Sequence, residues 1–180
     1  MKLIEALHIL ENYDDAGYTV WSLSDLRIVL AEKPATFRKT LERLCNGGIL
    51  ARVSRGTYLF VRTRRDKRTV FGEVIAHLRR GEYCFESLES AASEWGIFPQ
   101  TPLGGITVMT TGRSGSFDTP YGPVEYVHTD APIDEIVANT VAREGFIPLA
   151  SRGYTIHGLR RCGRTAELDE ALALGMLEEE

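Results

Sequence analysis

The sequence predicts an α+β fold in two domains, residues 1–69 and residues 70–180, of a 180-residue chain. In the first domain, apolar residues recur every three or four positions, which is the spacing of amphipathic helices. Two short β-prone runs then flank a Ser-Arg-Gly turn, and two more β-rich runs lie in the second domain. Residues 63–69 are polar or charged throughout, and such a stretch is typical of a domain boundary.

The first domain begins with three predicted helices. A stripe of leucines predicts a helix over residues 3–12. Ser22 or Ser24 can cap a second helix that continues to about residue 31. Pro34 suits the first turn of a third helix, because the amide hydrogen that proline lacks would have no partner there.

A hairpin is predicted directly after the third helix. The glycine pair at 47–48 ends that helix by supplying left-handed backbone. Strand-like runs at 49–53 and 57–61 surround a turn at 54–56, where glycine supplies the positive φ that a tight hairpin needs. Three helices followed by a hairpin predict a winged helix-turn-helix for residues 1–69.

The second domain is predicted to mix helices with short strands. The β-rich runs 106–111 and 124–129 would form a β-hairpin around a long, turn-rich loop at 112–123. This order of elements is characteristic of a small α+β domain. The other predicted elements are helices over 70–80, 86–95, 134–144 and 166–177 and a short strand at 83–85.

Charge is distributed unevenly along the chain. Residues 1–69 hold 13 Lys and Arg against 8 Asp and Glu, a net charge of +5, whereas residues 70–180 hold 8 against 17, a net charge of −9. A basic first domain suits a polyanion such as nucleic acid, and an acidic second domain suits a different partner. Chance clustering of charge in small domains is the ordinary alternative.

The cations of the first domain lie on the third helix, the hairpin and the segment that follows. Because Phe37, Leu41 and Leu44 face the core, the polar face of the third helix can enter a DNA groove. We interpret Lys39 and Arg43 as base readers, since basic side chains donate to guanine acceptors. Ordinary solvated charges, or a protein-binding winged helix, are the alternatives. The predicted DNA-binding residues are Thr36, Arg38, Lys39, Thr40, Arg43, Arg52, Arg55, Arg62, Arg64, Arg65, Lys67 and Arg68.

No pattern in the sequence indicates a cofactor, a metal site or catalysis. The histidines lack partners at metal-ligand spacing, and HExxH, CxxC and GxSxG motifs are absent. Asp118 and Glu125 loosely resemble the carboxylate pair of a metal-dependent nuclease, but Val127 occupies the position where such sites usually have lysine. We therefore expect a protein that is not an enzyme, with a nuclease as the minor alternative.

The chain is expected to be cytoplasmic and to have no membrane segment. No stretch approaches the ~18–20 consecutive apolar residues that a membrane span requires. The N-terminal residues turn acidic and lack a small-residue cleavage site, which argues against a secretory signal. Three widely spaced cysteines indicate reduced thiols rather than a disulfide framework.

Several segments carry a likeness to a known family. In the first domain they are WSLSDLRIVL at 21–30 and TLERLCNGGILARVSRGTYLF at 40–60. In the second they are EYCFESLESAASEWGI at 82–97, ITVMTTGRSGSFDTPYGPVEYVHT at 106–129 and IPLASRGYTIHGLRRCGRT at 147–165. With these segments and the order of its elements, the chain resembles the AbiEi antitoxins of type IV toxin–antitoxin systems.

The resemblance implies a protein with two tasks. The winged helix would bind inverted repeats in double-stranded DNA and repress its own operon. The second domain would counteract a nucleotidyltransferase-like toxin without a stable complex between the two proteins. Arg113, Arg160, Arg161 and Arg164 are candidates for a basic antitoxin surface, although ordinary solvated arginines would give the same pattern.

A plain winged-helix transcriptional regulator, whose second domain binds a ligand or a partner, fits the same first domain. The sequence does not indicate a dimer in solution, because it contains no heptad repeat. Two copies bound to adjacent half-sites would read an inverted-repeat operator equally well.

Overall fold

The structure, a computed structural model, describes residues 1–97, 105–166 and 168–169. It confirms a mixed α+β fold. The chain divides into two compact units, Met1–Leu78 and Arg79–Glu180, each with its own sheet and its own buried core. Within the described ranges, no helix is both long enough and apolar enough to cross a membrane.

The first unit combines four helices with a small antiparallel sheet. Its elements are α1 (Leu3–Asp15), β1 (Val20–Ser22), α2 (Leu23–Leu30), α3 (Pro34–Asn46), β2 (Leu50–Ser54), β3 (Thr57–Phe60) and α4 (Lys67–Leu78). The strand order is β1-β3-β2, so the β2–β3 hairpin is extended on one side by β1.

The ends of α2 and α3 follow from their terminal residues. The Ser22 hydroxyl accepts a hydrogen bond from the Asp25 amide at 3.1 Å, and the Asp25 carboxylate accepts one from the Ser22 amide at 3.0 Å. Ala31 ends α2 in the left-handed region with a φ of 48°, and Pro34 is the first residue of α3. The helices predicted from Ser22 and Pro34 are confirmed, and only a short turn joins them.

Helices and sheet of the first unit enclose one apolar core, which accounts for the leucine periodicity of the sequence. Its fully or nearly fully buried members are Ala6, Leu10, Trp21, Leu26, Leu30, Phe37, Leu41, Leu44, Ile49, Leu50, Tyr58 and Phe60.

The helix α4 begins inside the predicted domain boundary and belongs to the first unit. The Asp66 carboxylate accepts hydrogen bonds from the Thr69 amide at 2.9 Å and from the Thr69 hydroxyl at 3.1 Å, so it caps the helix. The helix packs against β1 and β3. The division between units therefore falls after Leu78, and not after Thr69 as the sequence predicts.

The second unit is built on a six-stranded mixed sheet. Its elements are β4 (Cys84–Glu86), α5 (Leu88–Glu94), β5 (Ile106–Thr110), β6 (Gly115–Thr119), β7 (Gly122–His128), α6 (Ile133–Ala138), β8 (Thr140–Arg143), β9 (Phe146–Ala150) and α7 (Arg152–Arg161). The strand order is β6-β7-β5-β4-β9-β8. The predicted strand at 83–85 and helix at 86–95 correspond to β4 and α5.

The two β-rich runs of the second unit do not form the predicted hairpin with each other. β5 and β7 are parallel neighbours, with Val108 opposite Tyr126. The segment predicted as one long loop contains β6, which pairs antiparallel with β7 at the edge of the sheet. In chain order, β6 connects β5 to β7 and so allows these two strands to run parallel. Gly122, with a φ of 125°, permits the tight turn from β6 into β7.

The predicted helix over 134–144 is wrong in its second half. α6 ends at Ala138, and the β-branched Thr140 and Val141 continue as β8. Gly145, with a φ of 66°, turns the chain into β9, the antiparallel partner of β8. Strand propensity and the glycine turn therefore prevail over the helical spacing of the apolar residues.

The helix α7 was not predicted, and the Ser151 hydroxyl caps it by accepting a hydrogen bond from the Tyr154 amide at 3.3 Å. The predicted helix over 166–177 lies outside the described residues beyond position 169. The core of the second unit includes Phe85, Leu88, Ala92, Ile97, Met109, Ala131, Ile136, Ala150, Leu159 and Leu168.

Candidate nucleic-acid interface

The helix α3 turns an apolar face to the core and a polar face to solvent. Phe37, Leu41 and Leu44 are buried at spacings of three and four residues. The exposed candidates on this helix are Thr36, Arg38, Lys39 and Arg43. Glu42 is the one carboxylate of α3, so the polar face is cationic, as the sequence predicts.

Thr40 is fully buried, and the prediction that it contacts DNA from an exposed face is wrong. It lies three residues after Phe37 and four before Leu44, which puts it on the inward side of the helix. Its hydroxyl oxygen accepts a hydrogen bond from Nη2 of Arg43 at 3.3 Å. Thr40 therefore leaves the set of candidate DNA contacts.

Arg43 is held by the protein itself. In addition to its bond to Thr40, its Nη2 donates to the carbonyl oxygen of Met1 at 2.8 Å. The guanidinium thereby joins the C-terminal half of α3 to the segment before α1. A contact between Arg43 and a base would break hydrogen bonds of the folded protein, so Lys39 is the stronger candidate base reader.

Arg38 and Lys39 are the cations of α3 that stay open. Neither forms an ion pair with a carboxylate in the described part of the chain. Glu42 lies one turn beyond Arg38 and does not bridge to it. The donors of both cations are therefore available to a phosphate or to a base edge.

The β2–β3 hairpin carries Arg55 at its tip. Gly56 follows with a φ of 102°, which glycine adopts without strain. The Gly56 carbonyl accepts a hydrogen bond from the Leu23 amide at 2.9 Å, so the tip is tied to the first residue of α2. The exposed Arg55 side chain is therefore presented beside the start of α2 on an anchored turn.

Arg52 on β2 and Arg62, which lies two residues after the end of β3, are exposed. Nε of Arg52 donates to the Ser54 carbonyl at 3.2 Å, next to the register shift between β2 and β3. This bond uses one of the five donors of the guanidinium. Arg62 forms no ion pair with any carboxylate that the structure describes.

Arg65 is held by hydrogen bonds within the fold and is not the free DNA contact that the sequence predicts. Its guanidinium binds both carboxylate oxygens of Glu73, with Nη1–Oε2 at 2.9 Å and Nη2–Oε1 at 2.5 Å. Nη1 also donates to the Gly17 carbonyl and to the Thr19 hydroxyl, each at 2.8 Å. The Glu73 carboxylate raises the pKa of Arg65. These bonds join α4 to the turn before β1.

The other candidates after the hairpin, Arg64, Lys67 and Arg68, are exposed. Arg64 pairs with no carboxylate within the described ranges. Lys67 and Arg68 belong to the first turn of α4, where the helix dipole disfavours positive charge. Arg68 interacts with another group of the protein, so Lys67 is the one of the two whose charge an anionic partner would explain.

A groove of about 480 Å³ lies between α2, α3 and β3, and we call it the α2–α3 groove. Its lining includes the apolar or aromatic Leu23, Phe37, Leu41 and Tyr58 together with Arg27 and Arg38. Arg27 was not among the predicted site residues, because only the packing of α2 on α3 brings it to the same groove as Arg38. Leu23, whose amide binds the hairpin tip, places that tip at the same groove.

In the second unit, Arg164 is enclosed by carboxylates. Its Nη1 donates to both oxygens of Glu89 at 3.1 Å and to Oε2 of Glu125 at 3.0 Å, and its Nη2 donates to Oε1 of Glu125 at 2.6 Å. The hydrogen bonds from Arg164 lower the pKa of Glu125. The predicted contribution of Arg164 to an exposed basic surface is wrong, because these carboxylates neutralise its charge.

The remaining arginines of the predicted antitoxin surface differ in their surroundings. Arg161 is exposed and forms an ion pair with Asp130. Arg113 and Arg160 are exposed and form no ion pair with the carboxylates of the described residues. The four arginines therefore do not share one type of environment, and two of them are compensated locally.

The carboxylates of the nuclease alternative do not form an open pair. Glu125 is occupied by Arg164, and Asp118 lies on β6 opposite Pro123 of β7. Among the residues that the structure describes, no group of three or more His, Cys, Asp or Glu side chains is arranged to hold a metal ion.

No protein-family model matches the chain, and no curated protein is similar enough to be matched to it. Function must therefore be inferred from the surface of the molecule. The predicted cations that remain open in the first unit, here called the open cations, are Arg38, Lys39, Arg55, Arg62, Arg64 and Lys67.

Proposed function

We propose that this protein is a DNA-binding antitoxin that represses its own operon. The first unit would act as a winged helix-turn-helix, with α2 and α3 as the helix pair and the β2–β3 hairpin as the wing. The element order and the β1-β3-β2 sheet support this proposal. In such proteins the second helix of the pair enters the major groove of DNA.

Lys39 and Arg38 would contact base edges and phosphates from the N-terminal half of α3. Arg55, at the hairpin tip, would enter the adjacent minor groove, and Arg62 and Arg64 would neutralise backbone phosphates. The observation that carries the proposal is that the open cations pair with no carboxylate in the described chain, whereas Arg65 and Arg164 do.

For the second unit we propose the antitoxin role that the resemblance to AbiEi proteins implies. The functional partner would be a nucleotidyltransferase-like toxin, without a stable complex between the two proteins. Both tasks belong to the cytoplasm, where the operon and its products are found. The support for this half of the proposal is the sequence resemblance alone.

The test of DNA binding is a titration of the full chain against duplexes from its own promoter region. We expect specific binding with a log–log salt slope of about −3 to −4, because about four phosphate contacts should contribute roughly −0.9 each. Lys39→Ala and Arg55→Ala should each weaken binding, and Arg152→Ala, an equal charge removal in the second unit, should not. Binding that is insensitive to salt and to these substitutions would refute the proposal that the first unit binds DNA.

The test of the antitoxin role is co-expression with a nucleotidyltransferase-like protein encoded beside this chain, scored by growth. We expect rescue by the native chain and by a Lys39→Ala/Arg55→Ala variant that no longer binds the operator. Operator binding without rescue would instead identify a plain transcriptional regulator, which is the second candidate function.

A further inference from the structure

The α2–α3 groove has the size and the lining of a small-molecule site. Its volume of about 480 Å³ lies within the range of roughly 300–1,000 Å³ that is typical of ligand pockets. Phe37, Tyr58 and Leu41 form its apolar floor, although each is more than nine-tenths buried and belongs to the core of the first unit. Apolar walls of this kind gain from contact with a ring system and gain nothing from a bare inorganic ion.

Two guanidinium groups give the groove a defined polarity. Arg27 and Arg38 both line it, and neither pairs with a carboxylate among the described residues. The Arg27 guanidinium lies 5.7 Å from the centroid of the Phe37 ring, so one cation stands over the aromatic wall. The planar fork of a guanidinium matches the two oxygens of a carboxylate.

We infer that the α2–α3 groove binds a small aromatic carboxylate, with the ring against Phe37 and Tyr58 and the carboxylate between Arg27 and Arg38. Because Arg38 is also an open cation of the proposed DNA surface, the ligand and DNA compete for it. The carboxylate is therefore an effector that releases the protein from its operator. This regulatory part rests on the proposed function, whereas ligand binding does not.

The binding test uses the full chain, titrated by calorimetry and by NMR with benzoate, phenylacetate and indole-3-acetate, and with their amides as uncharged controls. We expect one carboxylate bound per chain and no binding of the amides. Arg27→Ala and Arg38→Ala should each weaken binding about tenfold or more, since hydrogen bonds to charged groups contribute that much.

Two further variants separate the groove from general charge effects. Ala35 is an exposed residue that lines the groove, and Ala35→Phe should block the site by filling it while circular dichroism shows an intact fold. Arg152→Ala removes an exposed arginine from the second unit and should leave carboxylate affinity unchanged.

The regulatory test measures operator affinity with and without saturating carboxylate. Native protein should lose about tenfold or more of its operator affinity, in line with the loss of the Arg38 contact. The Arg27→Ala variant should bind the operator equally well with and without that concentration of carboxylate. This holds even if the substitution itself changes operator affinity.

Failure of all three carboxylates to bind, equal binding of the amides, or unchanged affinity in both arginine variants would overturn the ligand site. Carboxylate binding that leaves operator affinity unchanged would overturn the regulatory role. Weaker operator binding by Arg27→Ala, without any carboxylate binding, would identify the groove as DNA-contacting surface. A chain that binds carboxylate and no DNA would refute the proposed function and leave the ligand site standing.

Discussion

The two units of this protein use the same residue type in different ways. In the second unit, Arg143 and Arg164 lie among carboxylates, at 2.6 Å from Glu86 and 2.6 Å from Glu125 respectively. In the first unit, Arg38 and its fellow open cations face solvent without an ion pair to any described carboxylate. The charge of a paired arginine is compensated within its own unit, whereas an open arginine is available to a partner.

Net charge alone does not reveal this difference. By charge count the first unit is basic and the second acidic, yet Arg65 in the first is as fully paired as Arg164 in the second. What separates the classes is whether a carboxylate stands within reach in the folded chain. Substitutions should therefore separate the two classes, because loss of a paired arginine leaves a carboxylate uncompensated and loss of an open arginine does not.

The largest effect is expected for Arg143→Ala. Glu86 is almost fully buried, and loss of Arg143 leaves that carboxylate without its charge partner. Breaking a buried pair in this way typically costs about 3–5 kcal/mol of unfolding free energy. The measurement is urea unfolding followed by Trp95 fluorescence in a Trp21→Phe background, since the chain has one tryptophan in each unit.

The control for Arg143 is Arg152→Ala, which removes an exposed arginine from the same unit and should change stability by less than about 0.5 kcal/mol. A second control replaces both partners, as Arg143→Met with Glu86→Leu, and should recover much of the loss. Equal destabilisation by Arg143→Ala and Arg152→Ala would show that Glu86 does not need Arg143 as a charge partner in the folded second unit.

Arg65→Ala should lower the stability of the first unit by about 1–2 kcal/mol, because several charge-assisted hydrogen bonds are lost from a partly exposed site. Trp21 fluorescence in a Trp95→Phe background reports this unit. A double-mutant cycle with Glu73→Gln should show coupling between the two residues. If Arg65→Ala reduced DNA affinity and left stability unchanged, Arg65 would instead count as an open cation.

Arg38→Ala should behave in the opposite way. We expect a loss of about 1–3 kcal/mol of operator-binding free energy and no measurable change in stability, because the guanidinium pairs with no described carboxylate. Fluorescence anisotropy with labelled operator and the same urea titration measure the two quantities. A large stability loss would mean that Arg38 serves the fold.

Local rules predicted the first unit well. Ser22, Pro34 and the glycine at 56 carry their structural consequences within a few residues, so the helix starts and the hairpin turn could be predicted from the sequence. The second unit depends on pairing between distant strands. The parallel pairing of β7 with β5 depends on contacts between residues far apart in sequence, and no local pattern predicts it.

The candidate site divides in the same way. Exposure of Arg38 and Lys39 follows from helical periodicity. The same periodicity puts Thr40 next to the apolar stripe of α3, so its burial could also have been predicted. The partners of Arg43 and Arg65 come from Met1, Gly17 and Thr19, far away in sequence, so only the fold reveals them. Arg27 joined the site for the same reason.

The smallest effect concerns the pH dependence of the Arg164–Glu125 pair. Hydrogen bonds from Arg164 lower the pKa of Glu125 from its ordinary value of 4.5. A carboxyl whose pKa is lower in the folded state stabilises that state above its unfolded pKa, and the contribution disappears as pH falls through the folded value. Because the pair is partly exposed, we expect less than about 1 kcal/mol.

Glu125→Gln should therefore flatten the acid side of the second unit's stability curve, measured by urea unfolding between about pH 5 and pH 3. Glu144→Gln, which removes an exposed carboxylate of the same unit, serves as the control and should leave the curve unchanged. An NMR titration of the Glu125 side-chain carbonyl carbon tests the cause directly. Titration at or above 4.5 would mean that Arg164 does not hold Glu125 in solution, and Arg164 would then become a cation open to a partner.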